Sequence, residues 1–284
     1  MATTTNTTII VEPASVIGLT IKGAFIQPGQ KFKMVLNYLE GFYIQTHRSL
    51  SATQIYSNEP IVVMSGNKYT SIKSDLKCFR KCYYVTGSIL YESMIPADKW
   101  SRHFVIPLFQ KTHELKLRII SRNLNTTIRI TDLYNATRSS SMDGEEIEMN
   151  LDAKSYYVSA SNPILLSLYA LTENHGIIMM VVPGIQHFSK EYVIAPPKDP
   201  SYTSYITITI KSSDVDGLRF VGNLLAVESS FIMVRNESYT SVVKKMAGHS
   251  VYKIRHVSRN ALYGVMVYGF GSTSAYGYSA GFRF

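Results

Sequence analysis

IPADKWSRHFVIPLF, from Ile95 to Phe109, returns in outline as VPGIQHFSKEYVIAPP, from Val182 to Pro197. Both run Pro, aromatic, Ser, base, ring residue, Val-Ile. The first copy spells this with Pro96, Trp100, Ser101, Arg102, Phe104, Val105 and Ile106. The second uses Pro183, Phe188, Ser189, Lys190, Tyr192, Val193 and Ile194. From Trp100 onward the offset between copies is constant. A fixed offset over this length points to duplicated structural modules rather than to one enzyme pocket.

Working outward, further matches follow. Asn6-Thr7-Thr8-Ile9 recurs as Asn125-Thr126-Thr127-Ile128, and GQKFKMVL (Gly29 to Leu36) as GEEIEMNL (Gly144 to Leu151). The last pair alternates apolar with polar, as a strand with one buried face does. SNEPIVVMSG (Ser57 to Gly66) recurs as SNPILLSLYA (Ser161 to Ala170), read as a tight turn into a buried strand. LKLRII (Leu115 to Ile120) and YITITIK (Tyr205 to Lys211) read as leading strands, Ile206, Ile208 and Ile210 sharing one face and Thr207 and Thr209 the other. A weaker third copy places Gly217-Leu218-Arg219-Phe220 and HVSRNALYGVMVYGF (His256 to Phe270) at the matching positions. The expected fold is all-β: tandem antiparallel β-sandwich-like modules, internally repeated with a unit of about ninety residues. The expected modules are 1–112, with an insertion at 71–88, then 113–200, then a diverged 201–284.

Composition agrees. The 284 residues include 20 Tyr and 12 Phe, with abundant Thr, Ile and Val. Such side chains fit a pleated, half-buried surface and lose rotamer freedom in helices. The formal net charge is +9. The bases are scattered, with Lys244-Lys245 as an adjacent pair and no run of four, so the reading is a solvated basic surface and no nucleic-acid partner. The longest purely apolar run, Ile177 to Val182, is far too short to span a bilayer as a helix.

No motif of catalysis stands out. There is no Gly-x-Ser-x-Gly elbow, no P-loop and no His-Glu-x-x-His, and His47, His103, His113, His175, His187, His249 and His256 are scattered. Asp214-Val215-Asp216-Gly217 lacks the later ligands of a calcium loop and reads as a β-turn. Asp143-Gly144-Glu145-Glu146 reads as a turn entering a strand. Trp100 reads as a core ring, given its counterpart Phe188. The Gly- and Tyr-rich stretch from Tyr268 to Tyr278 reads as structural, Gly allowing close approach around the rings. No catalytic residue, cofactor or metal ligand is assigned.

Four sequons occur, at Asn6, Asn125, Asn135 and Asn236. With sparse Cys, they suggest an extracellular domain whose leader is absent from this chain. Cys78 and Cys82 are the two cysteines, four apart. A local disulfide and free thiols both remain open, while two thiolates without nearby partners make a poor zinc site. They lie in the insertion Ser71 to Ser88, read as a loop, with the bases Lys73, Lys77, Arg80 and Lys81 as a candidate binding loop.

The ordered set PIVVMSGN (Pro60 to Asn67), IPADKWSRHFVIP (Ile95 to Pro107), VPGIQHFSKEYVIAPP and VYGFGSTSAYGYSAG (Val267 to Gly281) resembles the IgGFc-binding protein N-terminal domain family, over about Ile55 to Gly281. The resemblance implies that the three modules together form one such N-terminal region, extracellular or at the cell surface. It favours a Cys78–Cys82 bridge in an oxidising compartment. It implies a non-enzymatic binding or adhesion module for a protein or glycoprotein, with immunoglobulin Fc as ligand by family analogy alone. Alternatives are a self-assembling matrix or adhesive-secretion component, and a lectin-like glycan binder.

Overall fold

A computed structural model describes residues 1–14, 18–47, 49–73, 84–142, 145–172, 176–199, 201–220, 223–224, 228–234, 237–246, 250–272 and 274–284. The fold is almost entirely antiparallel β, as expected. The chain divides into two compact units, Met1–Ser65 with Ser93–Ile95, and Gly66–Glu92 with Pro96–Phe284.

In the smaller unit, β1 (Thr7–Glu12) lies between β4 (Phe32–Leu36) and β5 (Gln54–Ser57), while β2 (Leu19–Ile21) and β3 (Ala24–Ile26) form a hairpin. That hairpin turns on Lys22 and Gly23, both at positive φ (49° and 82°), the backbone that a two-residue turn with right-handed strand twist requires. In β1, Thr7, Ile9 and Val11 face inward. Ile9 and Val11 meet Leu19, Ile21, Met34 and Leu36 in the core of this unit. The stretch Pro60 to Val63 after β5 is largely exposed and irregular, not the buried strand expected there.

β6 (Met64–Lys73) pairs with β7 (Tyr84–Ser93), and the larger unit opens within β6, at Gly66. The Ser71 to Ser88 insertion, read as a loop, gives its first three residues to β6 and Tyr84 to Ser88 to β7, while residues 74–83 lie outside the described residues. The β-branched and aromatic residues of the pair, Tyr69, Thr70, Ile72, Tyr84 and Val85 among them, suit extended pairing. Leu90 and Ile72 seat the pair against Tyr169, Leu171, Ile177 and Met179.

Next come a 3-10 turn, Ala97–Lys99, and β8 (Ser101–Ile106), β9 (Glu114–Ser121), β10 (Thr126–Asp132), β11 (Thr137–Met142), β12 (Glu146–Asp152), β13 (Tyr156–Thr172) and β14 (Gly176–Val181). β13 organises this part. Its first half pairs with β8 and β10, and its second half with β9 and β14. Both halves send side chains to one core, where Leu117, Ile128, Val158, Leu166 and Met180 are fully buried. Ser161-Asn162-Pro163 therefore does not turn the chain. It sits within a 17-residue strand, at the register shift between Ser159 and Ile164. A proline has no N–H for the ladder, so an irregular step is where a strand accommodates it.

GEEIEMNL and GQKFKMVL both become alternating strands, β12 and β4, with different partners. β12 pairs with β9, whereas β4 pairs with β1. The alternating pattern reports a half-buried strand but carries no record of its neighbour.

A second 3-10 turn, Ile185–His187, leads into β15 (Glu191–Ile194), β16 (Thr203–Lys211), the 3-10 segment Ser212–Gly217, β17 (Leu218–Phe220), β18 (Asn223–Leu224), β19 (Glu228–Val234), β20 (Glu237–Lys245), β21 (Tyr252–His256), β22 (Tyr263–Phe270) and β23 (Ala275–Ser279). Asp214 to Gly217 is thus 3-10 helical rather than a β-turn. One sheet runs β19-β20-β16-β22-β23 and another β15-β21-β17-β18. Ile206, Ile208 and Ile210 share a face, as expected, and pack with Val242, Val265 and Val267 against Tyr192, Leu218 and Ile254. Each fully buried Ile contributes about 1.5–3 kcal/mol. The opposite face is also covered: Thr207 and Thr209 are buried, and Tyr205, Met266, Tyr268 and Phe270 join the core around β13.

The two opening segments follow the same local path. Trp100 N–H donates to the Ala97 carbonyl and Phe188 N–H to the Ile185 carbonyl, closing equivalent 3-10 turns. Their rings differ in burial. Phe188 is sealed among Val105, Tyr157 and Tyr239, while Trp100 is half-buried rather than a core ring.

Candidate functional site

Three of the histidines serve structure. His103 Nδ1 shares a 2.7 Å hydrogen bond with the Tyr157 hydroxyl. His256 Nδ1 accepts from Ser258 N–H and its Nε2 donates to the Asp214 carbonyl, with the ring packed on Gly217. His187 is the most enclosed, 2 % exposed. Gly184 N–H donates to its Nδ1 at 3.2 Å, which leaves the proton on Nε2, and Nε2 donates to the Lys99 carbonyl at 2.6 Å. Phe282 and Phe284 present their rings at an angle to the imidazole. This histidine ties the second opening segment to the first. His175 and His249 lie outside the described residues.

Burial pushes His187 below its ordinary 6.5, so the folded chain holds it neutral. The unfolded chain takes up the proton first as pH falls. The contribution of the neutral form is full above about 6.5 and declines as pH drops through that value. Calorimetry from pH 7.5 to 5.5 is expected to show a shallower loss of stability for His187→Gln than for the parent. Equal slopes would assign the loss to other groups.

Three of the four sequon asparagines occupy exposed turns at positive φ: Asn6 (58°), Asn125 (57°) and Asn135 (61°). Asparagine tolerates this conformation better than most residues, so the turn itself explains its presence. The first two turns match in detail. Thr7 and Thr126 are fully buried, and each hydroxyl donates to a carbonyl three residues back, at 2.8 Å to Thr4 and 2.7 Å to Asn123. Asn236 lies outside the described residues, as do Cys78, Cys82, Lys77, Arg80 and Lys81. Lys73 is the last residue of β6.

The Tyr- and Gly-rich stretch is structural, as read from the sequence. β23 pairs with β22. Tyr276 donates to Ser204 Oγ and Tyr278 to the Ala195 carbonyl. Burial pushes the Tyr276 phenol up to about 12. Gly277 faces Ile178 and Met180 of β14 so closely that an added Cβ would lie 2.2 Å from Ile178 Cγ2.

One exposed face went unread in the sequence. β21 points Tyr252 and Ile254 into the core and Lys253 and Arg255 outward, with Val251 and Val257 exposed at either end. Val193 of β15 stands opposite Lys253, Glu191 opposite Arg255, and Arg219 of β17 opposite Arg255 on the other side. Val193, Val251 and Val257 are 60 %, 66 % and 63 % exposed. Glu191 pairs with Lys253 and, at 3.5 Å, with Arg255, and the hydrogen bond from Lys253 holds its carboxyl below the usual range. Arg219 Nη1 donates to the Asp216 and Leu218 carbonyls. The only trace in the sequence was the alternation of VYKIRHV, Val251 to Val257, whose outward row becomes informative once its neighbours are known.

Among the described residues no group of three or more His, Cys, Asp or Glu is placed to hold a metal ion, and no helix is long and apolar enough to cross a membrane. The family model described as IgGFc binding protein matches residues 1–269. Comparison with curated proteins and with solved structures returned no match.

Proposed function

Because this chain belongs to the IgGFc-binding protein family, we propose that it is a non-enzymatic binding and adhesion module that engages a protein or glycoprotein partner. Membership carries the coarser role, an extracellular domain that binds protein. The finer reading rests on the family match across 1–269. Two buried cores support it, one around β13 and one around β16, on which the surface strands are seated. We read the chain as modules 1–112, 113–200 and 201–284. In support, the leading strands β9 and β16 each pair with a later apolar strand, β13 and β22.

The test presents the immobilised full chain to purified extracellular glycoproteins, immunoglobulin G Fc among them. Saturable binding to one of them supports the reading. Absence of binding across the panel, with oligomers that grow with concentration in light scattering, replaces it with self-assembly.

Glycans at Asn6, Asn125, Asn135 and Asn236 and a Cys78–Cys82 bridge belong to the same proposal, as does the role of Lys73, Lys77, Arg80 and Lys81 in binding. The exposure of the first three asparagines supports the glycans. Expression in a secretory host is expected to give a mass reduced by peptide-N-glycosidase. Thr8→Ala, Thr127→Ala and Thr137→Ala, which spare the asparagines that form the turns, should each remove one glycan. Unchanged masses would refute occupancy at those sites.

A further inference from the structure

Resting on the reading that this chain binds protein, we propose that the outward face of β15, β21 and β17 is a docking surface for a protein segment with acidic side chains set between aliphatic ones. The order of residues on the face carries the argument. Val251, Lys253, Arg255 and Val257 form one outward row, cations in the middle and branched apolar groups at the ends. At about 3.4 Å of rise per residue this row spans about 20 Å, the reach of a short extended segment.

Like charges stand opposite each other at Arg219 and Arg255, an arrangement that is unfavourable across a sheet unless an anion lies between them. Glu191 is shared by Lys253 and Arg255, so the cations on this face outnumber their carboxylate. Guanidinium groups offer paired donors that match a carboxylate in geometry. The valines select among anions. Charge alone attracts any polyanion, but apolar groups flanking the charges gain only from a partner with apolar groups in register. A protein segment supplies both, whereas a sulfated glycan supplies charge without the aliphatic flanks.

The test measures fluorescence anisotropy of three labelled probes with the full chain at physiological salt. The probes are a peptide of four glutamates flanked by leucines, a glutamate-only peptide of equal length, and heparin. The flanked peptide is expected to bind about tenfold more tightly than the glutamate-only peptide. Lys253→Glu with Arg255→Glu should abolish its binding. Val193→Ser with Val251→Ser and Val257→Ser should reduce it to the glutamate-only level, and Glu191→Gln should tighten it. These side chains are exposed, and unchanged unfolding curves would confirm that the variants fold. Heparin binding that ignores the valine substitutions while the flanked peptide shows no advantage would assign the face to anionic glycans and overturn the proposal. So would peptide binding that survives charge reversal. The glycoprotein panel separates the two levels. A panel protein that binds parent and charge-reversed chain alike overturns this face and leaves the binding reading standing, whereas failure of the whole panel removes the reading itself.

Discussion

Phe188→Ala will destabilise the larger unit by about 3–5 kcal/mol, the range for removing a fully buried aromatic ring. Phe188 is 2 % exposed, fills a cluster with Val105, Tyr157 and Tyr239, and meets Tyr239 at a steep interplanar angle. The surrounding strands leave little room to collapse. Gly264 already lets the ring in so close that an added Cβ there would lie 2.5 Å from it. Trp100→Ala, at the matching place in the first segment, will cost clearly less, because that ring is half-buried. Urea unfolding followed by circular dichroism compares the two. For Phe188→Ala, the fluorescence of the chain's single tryptophan, Trp100, also reports from the unit concerned. Equal losses, or a larger loss at Trp100, would show that the two rings contribute otherwise than their burial implies.

Gly277→Val will destabilise the same unit by about 1–3 kcal/mol or more, through overpacking. The new Cβ would meet Ile178 Cγ2 at 2.2 Å and Met180 Sδ at 3.1 Å, and both neighbours are almost fully buried. Neither can move outward without opening the core around β13. Gly41→Ala is the control, since nothing lies within 4 Å of a Cβ at that exposed position. Thermal unfolding by calorimetry should show a lowered transition for Gly277→Val and none for Gly41→Ala. A Gly277→Val protein as stable as its parent would mean that β23 lifts away from β14 at little cost.

Part of the candidate site was legible beforehand. The repeat of Asn-Thr at Asn6 and Asn125 was legible because it is local, but the left-handed turns and buried threonine hydroxyls behind it emerged only in the structure. The structural role of the Tyr- and Gly-rich stretch was readable for a similar reason, as rings packed by close backbone approach need glycine nearby. The face of Lys253, Arg255, Arg219, Glu191 and Val193 was not, because its members come from three separate strands and meet only through pairing register.

What the amino-acid order settled by itself was the strand content, the alternation within β4, β12 and β16, and the repeat of the Pro-aromatic-Ser segments that begin at Pro96 and Pro183. These depend on neighbours within a few residues, where propensity and period act directly. What only the tertiary structure decided was which strand lies beside which. β4 and β12 share a pattern but not a partner, Ser161-Asn162-Pro163 became a step inside β13 instead of a turn, and both faces of β16 were buried. A strand's side-chain alternation states that one face seeks a core. The identity of the chain that covers it follows from packing over long separations, to which the local pattern is blind.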